Sequence, residues 1–462
     1  MGEKRTMEIP ELVEKQRAFF QTGVTLPIEY RKKALQILKD KLQQREKQLL
    51  DAVYQDLRKA PMETYITEML LIYEEINTML KKIKLYAKKR RVASSLFQFP
   101  AKSYLIQEPY GIVGIISPWN YPILLCLQPL VGAIAAGNCV VLKPSEHSPN
   151  TSRVLGEIIE ECFQPEYIHV VQGGKEEANL LLEQALDNIF FTGSTRVGKI
   201  IMEKAAKQLI PVTLELGGKS PCIVEKSADI PLAAKRIVFG KLLAAGQTCV
   251  APDYVLVERD VKEKLIHEIK KNCLQWLGEN PLEKDDYPTI VNEQNLERLA
   301  SLLQGQKILY GGNRDRKTRR MQLTLVETQE DSNIMKEEIF GPILPIITVD
   351  SIEQVISNLS AKEKPLALYL FTKNKRIEQK VIASLSYGGA CINDTIIQLA
   401  NSRLPFGGIG KSGMGKYHGE YSFHTFSHEK AVVKRANIFD LPIRYRPYTK
   451  KKWNQIKKLF CR

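Results

Sequence analysis

The sequence lacks the features that give a small protein a metal or disulfide framework. Its eight cysteines occur singly, with no Cys-x-x-Cys pair and no cluster of Cys and His at metal spacing. In a chain of 462 residues they read as thiols in a reducing compartment, and no metal is expected. Long apolar runs are also missing. The longest, Tyr121 to Gly137, is interrupted by Pro122, Gln128 and Pro129 and falls short of the roughly 20 residues that span a bilayer, so it is expected as a buried helix. The opening residues mix Glu, Lys, Arg and Gln with apolar residues and show no apolar stretch beside a cleavage site. The expected location is therefore cytoplasmic. No internal repeat or low-complexity linker occurs.

What is present is ordinary globular composition, 44% hydrophobic and 26% charged, at a length that suits two or three domains. The net charge of +15 is uneven. Between Lys434 and Arg462 ten basic residues face one acidic residue, Asp440, which leaves +6 for the rest of the chain. This asymmetry argues against a nucleic-acid-binding body and for a basic tail.

From about Ile28 to Ala87, apolar positions such as Leu35, Leu38, Leu42 and Leu49 recur at helical spacing, which predicts a helical lead-in. Short apolar runs then alternate with helical stretches at Ile112 to Ile116, Cys139 to Leu142, Tyr167 to Val171 and Asn188 to Phe191. A second series starts near Val212 and includes Pro221 to Val224, Asp253 to Val257, Leu344 to Val349 and Ala367 to Phe371. Such alternation predicts two open α/β domains, each with a parallel sheet and crossover helices. Beyond Asn401 the chain turns glycine-rich and loop-like.

Several strings could carry chemistry. FTGSTRVG places Gly193, Thr195 and Gly198 between a strand and a helix, where backbone N–H groups and a helix N-terminus can meet a pyrophosphate. The same string also suits a plain strand-to-helix turn. In VVLKPSEHS, Lys143 and Glu146 follow a buried strand at the edge where open α/β sheets bind ligands, although a solvated Lys before a helix cap reads equally well. Cys249 sits in the polar turn GQTCVAPD, whereas the other cysteines have apolar neighbours; a thiolate is a strong nucleophile near neutral pH. Glu215, in TLELGGKSP, ends an apolar strand and could act as a general base or form a salt bridge. Asn120, in SPWNYP, could donate to an oxyanion or simply hold a turn.

Taken in order, PWNYP, KPSE, FTGSTRVG, LELGGKSP, GQTCVAPDY, EEIFGP and LPFGGIG resemble the aldehyde dehydrogenase superfamily, and the ending SGMGKYHGEYSFHTFSH is similar to its class 3 branch of fatty and aromatic aldehyde dehydrogenases. The resemblance implies a Rossmann-like cofactor domain over residues 1–212, with 100–110 lending a strand to a small β bridging arm. It further implies a catalytic domain over 213–400, a bridging and oligomerisation segment over 401–430 and a basic tail over 431–462. It implies Cys249 as nucleophile, Glu215 as the base for deacylation and Asn120 as oxyanion donor together with the Cys249 backbone N–H. For the cofactor, NAD or NADP with NAD favoured, it implies Lys143 at the adenosine ribose, with Glu146 beside it disfavouring a ribose phosphate. Trp119 and Ser194 would lie near the pyrophosphate with Gly193, Thr195 and Gly198, and Glu338 with Phe340 would lie at the nicotinamide ribose and ring, Glu337 being the neighbouring alternative.

The implied reaction is oxidation of an aldehyde to a carboxylic acid through a Cys249 thiohemiacetal and thioester, by a homodimer. A CoA-acylating enzyme would share the thioester and differ in its acceptor. One departure is Gln398, in NDTIIQ, where class 3 relatives often carry His. Another is the ending KKKWNQIKKLFCR, in which Trp453, Ile456 and Phe460 recur at helical spacing among lysines. Such a helix either rests on an anionic membrane or packs its aromatics against the body or a partner subunit.

Overall fold

Helices Ile9–Gln21, Ile28–Gln44 and Glu46–Leu57 lead the chain, and Pro61–Thr64 runs through a π turn at Tyr65–Met69 into Leu70–Tyr86. The computed structural model describes residues 8–95, 98–438 and 440–460, apart from the side chains of 459 and 460. Phe460 of the tail pattern thus has its side chain outside the described residues. The leucines that marked the lead-in, Leu35, Leu38, Leu42 and Leu49, are fully buried, so the helical period reports a real packing face. Helix Ile9–Gln21 precedes the segment that the pattern delimits.

The chain divides into two compact units, Met1–Tyr86 with Pro109–Ser427, and Ala87–Glu108 with His428–Arg462. The larger unit holds two mainly parallel sheets. The first runs in the spatial order Gly413–Met414, Val212–Glu215, Asn188–Thr192, Ile112–Ile116, Cys139–Lys143, Ile168–Val170, with only Gly413–Met414 antiparallel. The second runs Lys307–Tyr310, Thr324–Glu327, Ile343–Val349, Tyr254–Glu258, Pro221–Val224, Ala367–Phe371, Gly389–Ile392, with Lys307–Tyr310 antiparallel. Strands covered on both faces are near-continuous apolar runs, and every residue of Cys139–Lys143, Asn188–Thr192 and Tyr254–Glu258 is buried, with polar residues only at their ends. The long apolar run becomes helix Leu124–Ala136, buried along its whole length. Leu127, Leu130 and Ile134 have no exposed surface, and each such side chain contributes about 1.5–3 kcal/mol as an upper bound.

The smaller unit is a three-stranded sheet, Arg90–Val92, Ala101–Pro109, Ser427–Arg435, followed by helix Lys450–Phe460. The chain enters this unit after helix Leu70–Tyr86, leaves it in strand Ala101–Pro109 and returns to it in strand Ser427–Arg435. Sixteen basic residues stand against Glu108, Glu429 and Asp440 in it, so it holds thirteen of the chain's fifteen excess positive charges.

Strand pairings run across the expected limits. Val212–Glu215 pairs with Asn188–Thr192, so the boundary at 212/213 cuts a strand of the first sheet. Gly413–Met414 pairs with Leu214 and Glu215, which leaves most of 401–430 in the larger unit. The tail expected from 431 starts inside strand Ser427–Arg435. The glycine-rich stretch gave no period to read, because its pairing is made by backbone alone; a Cβ on Gly413 would lie 2.5 Å from the Leu214 carbonyl oxygen.

Candidate active site

In the first sheet the strand order reverses between Ile112–Ile116 and Asn188–Thr192, and ligands of open α/β folds bind outside the carboxyl ends of strands at such a point. The loops leaving these two strands carry Trp119 with Asn120, and Gly193 with Ser194. A cavity of about 1100 Å³ opens there. It is lined by Trp119, Asn120, Gly193, Ser194, Thr195, Glu215, Cys249, Glu338 and Phe340, so nine of the twelve residues singled out in the sequence meet in one place.

Cys249 stands half-buried in a turn that follows a kinked segment, in which Ala244 and Ala245 hold φ of 50° and 52°. Burial and the nearby carboxylates of Glu338 and Glu215 push its thiol well up, against the backbone N–H groups of Cys249 and Val250. Asn120 is buried and donates from Nδ2 to the Gln247 carbonyl at 2.9 Å. One of its two amide hydrogens stays uncommitted by that bond. Gln247 is itself fixed, since Nε2 donates to Ala244 O at 2.9 Å and Thr289 O at 3.0 Å while Oε1 accepts from Val291 N at 3.0 Å. Asn120 and the cysteine turn are therefore tied together by a residue that the sequence reading passed over, although it lies inside GQTC.

Glu215 ends its strand 1% exposed, and among the described residues neither carboxylate oxygen has a hydrogen-bond partner. Burial alone pushes its pKa well above the usual carboxylate range. A structural carboxylate would be paired; this one is held in place only through its backbone, where Gly193 N donates to Glu215 O at 2.9 Å.

Glu338 packs over Gly217 and accepts from the Gly218 backbone N–H; a Cβ on Gly217 would fall 1.9 Å from Glu338 Oε2. Burial and Asp253 push Glu338 up to about 8. Phe340, at φ 48°, meets the Trp119 ring edge to face at 5.6 Å. The loop that carries both is anchored by residues missed in the sequence: Asp253 accepts from Ile339 N at 2.9 Å and pairs with Lys219, which also donates to Glu337 O at 2.9 Å. Both lie within the strings LGGKS and APDY, and partners so far apart in sequence have no local signature.

Three expected cofactor residues do not line the cavity. Lys143 is buried at its strand end and donates to Pro144 O at 2.9 Å and Gly173 O at 2.6 Å, which leaves one ammonium hydrogen. Glu146 is exposed beside Gly174. Gly198 serves packing, because a Cβ there would fall 2.6 Å from Leu216 Cδ2. That is the helix-to-strand approach which the last glycine of a dinucleotide loop permits. Ser194 caps helix Thr195–Ala206 by accepting from Val197 N at 3.4 Å, and Thr195 Oγ1 donates to Lys411 O at 3.1 Å. Gln398 accepts from the Cys391 thiol at 2.7 Å and donates to Tyr369 Oη at 3.3 Å, and Tyr369 in turn donates to Val250 O at 2.5 Å. The residue that stands where class 3 relatives often carry His thus braces Val250, the neighbour of Cys249.

The arrangement fits a dinucleotide. A helix N-terminus and Gly193 face the cavity, Glu338 offers acceptors for ribose hydroxyls, and Lys143 keeps a free donor at the adjoining strand end. Among the described residues no group of Cys, His, Asp and Glu could hold a metal ion.

Comparison with known proteins agrees with this geometry. The aldehyde dehydrogenase family matches residues 2–432. A 4,4'-diaponeurosporen-aldehyde dehydrogenase of Staphylococcus aureus is 46% identical, over 96% of this chain and 97% of its own. The aldehyde dehydrogenase family 3 member A2 of Rattus norvegicus is 45% identical, over 92% and 88%. A solved structure, the substrate-bound state of a Staphylococcus aureus AldH, superposes with a TM-score of 0.95 at 45% identity and covers 98% of this chain and 100% of that one. The chain belongs to the aldehyde dehydrogenase family, is similar to its family 3 members, and is an NAD(P)-dependent oxidoreductase of aldehydes.

Proposed function

We propose that the chain oxidises medium- and long-chain aliphatic or aromatic aldehydes to carboxylic acids, with Cys249 as nucleophile, Asn120 as oxyanion donor and Glu215 as base. The observation that carries this reading is a buried carboxylate, Glu215, with no hydrogen-bond partner among the described residues, on the same cavity as a cysteine and a pinned amide. Cys249 Sγ, as thiolate, adds to the aldehyde carbon, and the new oxyanion takes the uncommitted Asn120 N–H and the Cys249 backbone N–H. When bound, the nicotinamide cofactor supplies a hydride acceptor. The acyl group is then held on Cys249 as a thioester. Glu215 takes a proton from water, the hydroxide adds to the thioester carbonyl, and collapse releases the acid and the Cys249 thiolate.

The cofactor is assigned to the first sheet: its pyrophosphate to Gly193, Ser194, Thr195 and Trp119, its adenosine ribose to Lys143, and its nicotinamide ribose and ring to Glu338 and Phe340. Gly198 contributes by letting the helix approach. Burial lowers the pKa of Lys143, and the carboxylates of Glu146 and Glu177 lie close enough to oppose that shift; this negative surrounding favours NAD over a ribose phosphate. The second sheet carries Cys249. We assign dimerisation to the small sheet, whose strands Arg90–Val92 and Ser427–Arg435 leave open edges.

A cytoplasmic enzyme with a peripheral anionic-membrane contact is also part of the reading. Among the described residues no helix is long and apolar enough to cross a membrane. The small unit concentrates the positive charge, and Trp453 is 59% exposed on its terminal helix. Sedimentation with phosphatidylglycerol vesicles should carry down the full chain and not a chain ending at residue 442; equal sedimentation of both removes the tail from the contact. For catalysis, NADH formation at 340 nm from an aldehyde panel without CoA is the test. Turnover in the wild type and none in Cys249→Ala is expected, and NADH that appears only with CoA replaces hydrolysis by acylation of a thiol.

A further inference from the structure

The helical lead-in contributes a buried charged cluster to the back of the site. Lys59 and Glu68 have no exposed surface, and Lys59 Nζ lies 2.5 Å from Glu68 Oε1. An ion pair so deeply buried costs desolvation and survives only where its other valences are used. Here they are. Glu68 Oε2 accepts from Ile123 N at 2.9 Å and Leu124 N at 3.1 Å, at the start of the helix that follows Asn120. The Lys59 ammonium sits 4.1 Å from the centroid of the Tyr121 ring, a desolvated cation–π contact. Tyr121 Oη and Thr248 Oγ1 are 2.6 Å apart, and Thr248 Oγ1 donates to Leu243 O at 3.3 Å, so the phenol is the donor to Thr248. Glu63, one turn away, accepts from Ala244 N at 2.7 Å, inside the left-handed kink that precedes the cysteine turn.

The same short segment thus grips both halves of the reaction centre: the residues flanking Asn120 on the first sheet's side, and those flanking Cys249 on the second's. We propose that Lys59, Glu68 and Tyr121 are positioning residues that set the Asn120 amide against the Cys249 turn, so that the lead-in fixes the oxyanion site. None of the three is required to touch substrate for this. The inference rests on the thioester reading above.

Two reactions of Cys249 separate positioning from mere stability. Acylation by an aldehyde passes through an oxyanion, whereas alkylation by iodoacetamide is a displacement without one. Tyr121→Phe keeps the ring under Lys59 and removes only the hydroxyl bond to Thr248. Its pre-steady-state NADH burst should slow by about 10- to 100-fold, the scale of a misplaced reacting group, with KM within about twofold and the alkylation rate unchanged. Lys59→Met should slow the burst at least as much, and Lys59→Arg, which keeps the charge, should recover part of it. Full burst rates in Tyr121→Phe overturn the inference, and so does an equal fall of burst and alkylation, which would mean a damaged nucleophile. If Lys59→Met does not fold, Tyr121→Phe decides alone. A wild type that forms no acyl adduct on Cys249 would sink the thioester reading itself, whereas equal rates of first-turnover NADH formation in wild type and variants sink only this inference.

Discussion

Replacing Glu215 by Gln should destroy turnover and stabilise the protein, and the two effects have one cause. The carboxyl is 1% exposed, with no hydrogen-bond partner among the described residues, and burial raises its pKa. A group whose pKa is raised on folding favours the protonated folded state. The stability it contributes is complete below its unfolded value of 4.5 and is lost as pH rises toward the folded pKa, at a slope of at most about 1.4 kcal/mol per pH unit. Gln does not titrate. The two proteins should therefore unfold at similar temperatures near pH 4.5, and Glu215→Gln should pull ahead as pH rises from there toward the folded pKa of the carboxyl. Over the same range its steady-state rate should fall by about 100- to 10,000-fold, the usual contribution of a general base, while the first equivalent of NADH still forms. Thermal scans and 340 nm assays on one preparation read both. A variant less stable than wild type at pH 8, or one that keeps full turnover, would refute the reasoning, since the carboxylate would then have a partner or no catalytic duty.

Other outcomes follow from the same geometry. Asn120→Ala should cost roughly 3–4 kcal/mol of transition-state stabilisation, about 100- to 1,000-fold in kcat, with little change in KM in aldehyde titrations. Glu338, its pKa pushed up to about 8, is mostly ionised at pH 9 and raises the Cys249 thiol pKa, so Glu338→Gln without cofactor should be alkylated faster than wild type by iodoacetamide at pH 9; a slower reaction contradicts that coupling. Gly198→Ala drives a methyl to 2.6 Å from Leu216 Cδ2 and should lose about 1–3 kcal/mol of stability in denaturant titrations, with weaker NAD binding as the helix shifts.

Elements with strong local pattern were legible from the letters. Ile112–Ile116, Pro221–Val224 and Ala367–Phe371 fall where their apolar runs begin and end, because a strand buried on both faces admits nothing else. Thr324–Glu327 and Gly389–Ile392 were not read: the first is four residues in an irregular region, and the second is Gly, Ala and Cys with a single Ile, whose pairing depends on the neighbouring strand. At the site, the residues within each motif could be named, and nine of them share the cavity. What could not be read was how the motifs are held together. Gln247 tying Asn120 and the Lys219–Asp253 pair under the Glu338 loop join residues 34 to 127 positions apart, while Lys59 sits in the link after helix Glu46–Leu57 and Glu68 in the π turn, where no regular period marks them. The small unit's charge was visible only in its tail, since Lys88 to Arg91 join the tail only in the fold.

The proposed reaction places the acyl group on Cys249. Glu215→Gln mixed with NAD and an aldehyde, without CoA, then quenched and digested for mass spectrometry, tests it most directly. One acyl mass per chain on the Cys249 peptide, matched by one equivalent of NADH, is the predicted result. NADH without a Cys249 adduct, or an adduct on another cysteine, would contradict the account.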